Sequence, residues 1–239
     1  MPVRRRSRTV RRIKKLLWWV HVPAWVDNEG VLLPTEGPGI SPGIRRQIFF
    51  GEYEDKEIEI VARRLASDDR VMEVGAGIGF LSAYCAKRIG SERVFAYEAN
   101  PALMELIAAT HRANGVAPTV RNLLLGRGEG SREFYVEPEF WASSAVRGSP
   151  GARTIRVPQA DLNAELRRVR PSFLIVDIEG GEIEFFETAD LATVRKICVE
   201  THPAIHSSAA LSQMLCGLFR QGFALDFALL RKNVFYLSR

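Results

Sequence analysis

The run VMEVGAGIGF, residues 71 to 80, constrains this chain more than any other stretch, because Gly75, Gly77 and Gly79 follow an apolar strand-like run and precede a helix-like one. Glycine lets the backbone turn sharply and approach a ligand without a Cβ clash. The helix that follows aims unpaired N–H groups at anionic groups. The spacing predicts a nucleotide-cofactor loop at the edge of an α/β sheet. A dinucleotide fingerprint sets its third glycine five positions after the first; here the interval is four, and position 80 is Phe. Glu73 also ends the strand, where a pyrophosphate would meet like-charge repulsion. A cofactor with a positive group fits better.

A second strand is predicted in SERVFAYEANP, ending in Glu98, with Asn100 as helix N-cap and Pro101 as first helical residue. A carboxylate at Glu98 can accept both hydroxyls of a ribose, since its two oxygens offer about four acceptor sites. The alternative is an acid that merely complements a helix N-terminus. The glycine loop favours the ribose reading.

The chain has 239 residues and is 46% hydrophobic, enough for one α/β domain, read as residues 52–239, behind an N-terminal extension and linker or lid, residues 1–51. Its net charge of +5 is misleading. Arg4, Arg5, Arg6, Arg8, Arg11, Arg12, Lys14 and Lys15 come before any acid, so the domain itself is neutral to mildly acidic and gives no nucleic-acid signal. The apolar block LLWWVHVPAWV is too short to span a bilayer and, holding His21 and Pro23, does not read as a secretory signal. It reads as a docking or disordered extension, with a peripheral membrane anchor of Trp and basic residues as the alternative. Cys85, Cys198 and Cys216 lack metal or disulfide spacing and read as small buried residues of a reducing, cytoplasmic protein.

The glycine- and proline-rich residues 27–51 predict only short regular structure, and residues 52–66 a helix with Ile58, Val61, Ala62 and Leu65 on one face. APTVRNLLLG reads as a third strand after a stop at Asn114-Gly115. SREFYVEP and RTIRVPQ read as an inserted hairpin or flap around a polar stretch, and Asp161 as the cap of the next helix. The apolar run FLIVD predicts a central strand whose end carries Asp177, Glu179 and Glu182. Such acids usually solvate a loop, but ligands of open α/β sheets bind outside the carboxyl ends of strands.

The loop E-x-G-x-G-x-G resembles the first motif of class I S-adenosylmethionine-dependent methyltransferases. With YEANP, IVDIEGGEIEFF and VETHP in order, the chain is similar to the FkbM methyltransferase family, departing at Glu73, where many members have Asp, and at Gly181, where many have Ala. The resemblance implies a Rossmann-like, seven-stranded, mostly parallel sheet with an antiparallel last strand, formed by GFALDFALL and NVFYLS. It implies S-adenosylmethionine as cofactor and O-methylation of a sugar, polyketide or similar small-molecule hydroxyl.

On this reading Glu73, Gly75, Gly77, Gly79, Glu98 and Asn100 hold the cofactor, and Asp177 is the base or orienting acceptor, with His202 second. Glu179, Glu182 and Glu200 form the site edge. Asp177, Glu179, Glu200 and His202 could instead hold Mg²⁺ or Mn²⁺, but the spacing requires no metal and none is assigned. The rival readings are an NAD-dependent oxidoreductase, against which Glu73 and the loop spacing count, and a non-catalytic nucleotide-binding scaffold. The acceptor and the oligomeric state are not encoded legibly.

Overall fold

A computed structural model of the protein describes residues 17–18, 20–137 and 151–239. The basic run of residues 4–15 and most of the polar stretch between the two predicted flap strands lie outside the described residues. A hairpin of β1 (Trp25–Asn28) and β2 (Val31–Pro34) leads to α1 (Pro42–Phe50) and α2 (Asp55–Arg64). The segment expected to be a lid or linker contributes Val31, Leu33, Ile44 and Ile48 to the main core, all fully buried.

The chain then alternates β3 (Val71–Val74), α3 (Phe80–Ile89), β4 (Val94–Glu98), α4 (Met104–Ala113) and β5 (Thr119–Asn122), with the three strands parallel. Asn100 caps the turn before α4 by accepting from the Ala102 amide at 3.1 Å, and Gly115 takes the left-handed backbone that follows it. The predicted third strand is broken at Leu123. Asn122 turns its amide back to the Glu98 and Ala99 carbonyls, closing the ladder, and β6 (Leu124–Gly126) starts a separate sheet. There β6 and β7 (Gly130–Val136) flank β8 (Arg153–Asp161), and the antiparallel β7–β8 pair is the expected inserted hairpin. Asp161 caps α5 (Leu162–Val169) through the Ala164 amide at 2.8 Å.

β9 (Phe173–Val176), α6 (Glu182–Thr188), β10 (Lys196–Glu200), α7 (Ser208–Arg220), β11 (Ala224–Leu225) and β12 (Val234–Ser238) complete the molecule. The main sheet has the order β11-β12-β10-β9-β3-β4-β5, and β12 runs antiparallel to β10, so the class I architecture is present. Because side chains alternate along a strand, the sheet separates two apolar layers. Val71, Ala96, Ile175 and Cys198 face α2 and α3, whereas Met72, Tyr97, Leu174 and Val199 face α5, α6 and α7. Cys85 and Cys198 are buried as expected, but Cys216 is exposed. Helix α7 buries Met214 and Leu218 at i, i+4 spacing, which turns position 216 outward.

Candidate functional site

The alternation that sorts the core also sorts the acids. Glu73, Glu98, Asp177 and Glu200 continue the series of Val71, Ala96, Ile175 and Cys198, so they belong to the α2 face of the sheet. Asp177 and Glu200 each lie one residue beyond the last paired positions, Val176 and Val199, on adjacent parallel strands. A cavity of about 1020 Å³, counting its open mouth, lies at this edge. Glu54, Gly75, Gly77, Glu98, Asp177 and Glu179 line its polar side, and Leu125, Phe134, Leu162 and Phe185 its apolar side.

At one end Glu98 accepts from the Gly77 amide at 3.0 Å and from the Asn100 amide at 2.7 Å, one bond to each carboxylate oxygen. About two of its acceptor sites remain for a ligand. Burial pushes its carboxyl up to about 7, against the backbone amides that favour the charge. The glycine loop is as thin as it is because protein, as well as any ligand, crowds it. A Cβ on Gly75, whose φ is 89°, would lie 1.7 Å from the Asp177 carbonyl oxygen, and one on Gly77 would lie 2.6 Å from Tyr53 Oη.

Gly75, Gly77 and Glu98 thus face the cavity, while Glu73, Gly79 and Asn100 shape the loop from behind. Glu73 is 1% exposed, and its carboxyl meets Ser82, which bonds His111 Nε2 at 3.0 Å beside Gly79. Burial pushes Glu73 up to about 8 and His111 down to about 4.

Sequence reasoning missed Tyr53, Glu54 and Glu57: the turn into α2 brings the first two over the glycine loop and sets Glu57 against Glu200. The acids in YEDKE were the available signal, but nothing local says that this helix start meets a strand end some twenty residues later. Glu54 and Glu179, both on the cavity wall, have positive φ of 46° and 42°. Non-glycine residues pay on the order of 1–3 kcal/mol for such a conformation, which tends to collect at working sites.

At the other end lies an acid–imidazole cluster. His202 Nδ1 meets Glu182 Oε1 at 2.5 Å, and Nε2 faces Glu179 Oε2 at 3.1 Å and Asp177 Oδ1 at 3.8 Å. Glu182 is fully buried and is the anchor of this ring, held in turn by the Gly180 amide at 2.9 Å and faced by His206 at 3.3 Å. Burial disfavours the charged imidazole, yet Glu179 and Glu182 outweigh it and push His202 up to about 11. A ring that keeps its proton at neutral pH cannot accept another, so a base role for His202 requires Nε2 to be freed.

Asp177 is raised well above the usual carboxylate range by burial and by Glu200, Glu179 and Glu57. Burial and Glu200 push Glu57 up to about 8. Glu200 accepts from Asn233 at 2.7 Å and has Lys56 at 3.9 Å. Among the described residues, Glu54 Oε2, Glu57 Oε1 and Asp177 Oδ1 are buried with no hydrogen-bond partner. The site has more carboxylate than its own cations neutralise, the arrangement a cationic ligand completes.

The sequence profile described as the methyltransferase FkbM domain matches residues 73–224, more than half of the chain. No curated protein matches. Among solved structures, the chain is similar to a ribosomal protein L11 methylase from Lactobacillus delbrueckii subsp. bulgaricus, at 11% identity and TM-score 0.47, over 79% of this chain and 78% of that one. It is also similar to a precorrin-6y C5,15-methyltransferase from Geobacter metallireducens, at 15% identity and TM-score 0.45, over 77% and 85%. The O-methyltransferase TomG from Streptomyces achromogenes, solved with its methyl donor, is similar at 13% identity and TM-score 0.43, over 78% of each chain.

Proposed function

Because the chain belongs to the FkbM methyltransferase family, we propose that it transfers a methyl group from S-adenosylmethionine to a hydroxyl of a small, partly apolar acceptor in the cavity at the carboxyl edge of its sheet. The observation that carries this reading is the single cavity joining Glu98 at one end to Asp177 and Glu179 at the other. The residues present fit the cofactor: Glu98 keeps free acceptor sites for a ribose diol, and the unpartnered Glu54 and Asp177 oxygens suit a positively charged ligand.

When bound, S-adenosylmethionine supplies a methyl group made electrophilic by the sulfonium. The protein's part is positioning. Glu98 would hold the nucleoside end, Gly75 and Gly77 would leave room for it against the loop, and Glu54 would serve its positive end. Leu125, Phe134 and Phe185 exclude water and give an acceptor an apolar wall. Once a cationic ligand favours its charged form, Asp177 would accept a hydrogen bond from the acceptor hydroxyl and orient its oxygen, and such orientation alone can supply a large share of a rate enhancement. His202, fixed by Glu182, holds the Glu179 carboxylate beside Asp177.

Tritiated methyl uptake from labelled S-adenosylmethionine into panels of hydroxylated lipids, sugars and polyketides tests the proposal. Label appearing as a methyl ether on a small hydroxylated compound is the expected result. Label that enters only amines, proteins or nucleic acid would overturn the acceptor class while leaving the cofactor untouched.

A further inference from the structure

We propose that Asp177, Glu200 and His202 form a binding site for one divalent cation of the Mg²⁺ or Mn²⁺ class, beside the acceptor end of the cavity. One donor atom from each of these three residues lies within 4.8 Å of the others, a spacing that one ion can bridge. The sequence places them there for a structural reason. β9 and β10 are adjacent, parallel and in register to Val176 and Val199, so Asp177 and Glu200 are extended neighbours on one face, and His202 follows two residues later.

Two further observations point to an ion. Glu57, only 3% exposed, packs its carboxyl against Glu200 and leaves Oε1 with no partner. A buried carboxyl in contact with a half-buried one is costly without a cation between or beside them, and Lys56, 3.9 Å from Glu200 and itself partly exposed, offsets the repulsion only in part, since Glu57 stays raised despite it. The second observation is the orientation of His202. Buried Glu182 holds Nδ1, which directs Nε2 toward the carboxylates of Asp177 and Glu179. An imidazole whose far nitrogen is held by a carboxylate is how metal-ligating histidines are commonly fixed in tautomer and direction. Hard carboxylate oxygens with one imidazole suit Mn²⁺ or Mg²⁺ rather than a soft metal.

The site borders the proposed reaction space because Asp177 also lines the cavity. A carboxylate has two oxygens, so Asp177 can hold the ion with one and the acceptor hydroxyl with the other. The cation would then draw the acceptor oxygen to the same place and make its hydroxyl more acidic. This role rests on the methyltransferase reading, whereas the binding of the ion does not.

Electron paramagnetic resonance of Mn²⁺ titrated into the full chain measures the free ion directly, and calorimetry with S-adenosylhomocysteine on the same samples reports the cofactor site. We expect one Mn²⁺ bound per chain, with Glu182→Gln weakening it about 10- to 100-fold through His202 and Glu200→Gln or Asp177→Asn weakening it at least as much. Circular dichroism checks that each variant folds, and His202→Gln provides a further ligand variant of similar size. Mn²⁺ left free at millimolar concentration in the wild type, or bound equally by folded Asp177→Asn and Glu200→Gln variants, would overturn the site. Bound Mn²⁺ without S-adenosylhomocysteine binding would support the ion site and overturn the methyltransferase reading, and the opposite pattern would do the reverse.

Discussion

Glu98 concentrates the physics of the proposed cofactor end in one side chain. It is 7% exposed, bonded by two backbone amides, and its carboxyl is pushed by burial up to about 7. Ribose hydroxyls would donate to the ionised form, so binding is linked to loss of the proton. The affinity for S-adenosylhomocysteine is expected to rise from about pH 6 to about pH 8 and then level off; calorimetry across that range checks it, and a flat profile would contradict the ribose role. Glu98→Ala should cost about 1.5–3 kcal/mol of binding, the scale of hydrogen bonds to a charged group.

The same burial has the opposite sign for stability. A carboxyl raised in the folded state from 4.5, as Glu98 is to about 7 and Glu73 to about 8, stabilises most below about pH 4.5 and progressively less as pH rises through those values. The ligand-free protein should therefore melt lower at about pH 8 than at about pH 6, and Glu73→Gln should flatten that decline. Thermal melts of both proteins decide this, and an unchanged slope in the variant would remove Glu73 as a cause.

Among the elements, the inserted hairpin is the one whose attachment invites a test. Arg132 on β7 makes a two-pronged bond to Glu184 on α6, both contacts 2.9 Å, and both residues line the cavity. The pair is exposed, so its loss should change stability by less than about 1 kcal/mol. Arg132→Ala is expected to raise the KM for the acceptor, with little change in melting temperature. A large fall in melting temperature with normal KM would make the bridge structural instead.

Legibility in the sequence follows the same division. Strand ends announce themselves, because an apolar run must stop where an acid or a glycine loop begins, and Glu98, Asp177 and Glu200 were readable for that reason. Glu54 and Glu57 were not, since a helix face with Ile58 and Val61 states what it buries and not which strand its first turn overhangs. The parting of β5 from β6 was equally hidden: TVRNLLLG is uniformly strand-like, and only Asn122 bonding back to the Glu98 and Ala99 carbonyls ends the ladder.

At the scale of the whole molecule, one sheet with two apolar layers brings four strand ends together. Trp18 reaches the body, packing on Phe49 and Phe50 at 5.5 and 5.8 Å, so a deletion that spares this contact stops at residue 16. Among the described residues no helix is long and apolar enough to cross a membrane. Deleting residues 1–16 should spare cofactor binding. If their Arg and Lys contact anionic lipid, the full chain should sediment with anionic vesicles and be released by salt, which screens such attraction over about 10 Å at 0.1 M; equal sedimentation of the shortened chain would exclude that contact.

The central claim, that this sheet edge is a methyl-donor site, is tested most directly by titrating the full chain with S-adenosylhomocysteine and, separately, with NADH in a calorimeter. The account predicts saturable binding of S-adenosylhomocysteine that Glu98→Ala weakens, and no heat from NADH. Saturable NADH binding with no response to S-adenosylhomocysteine would contradict it.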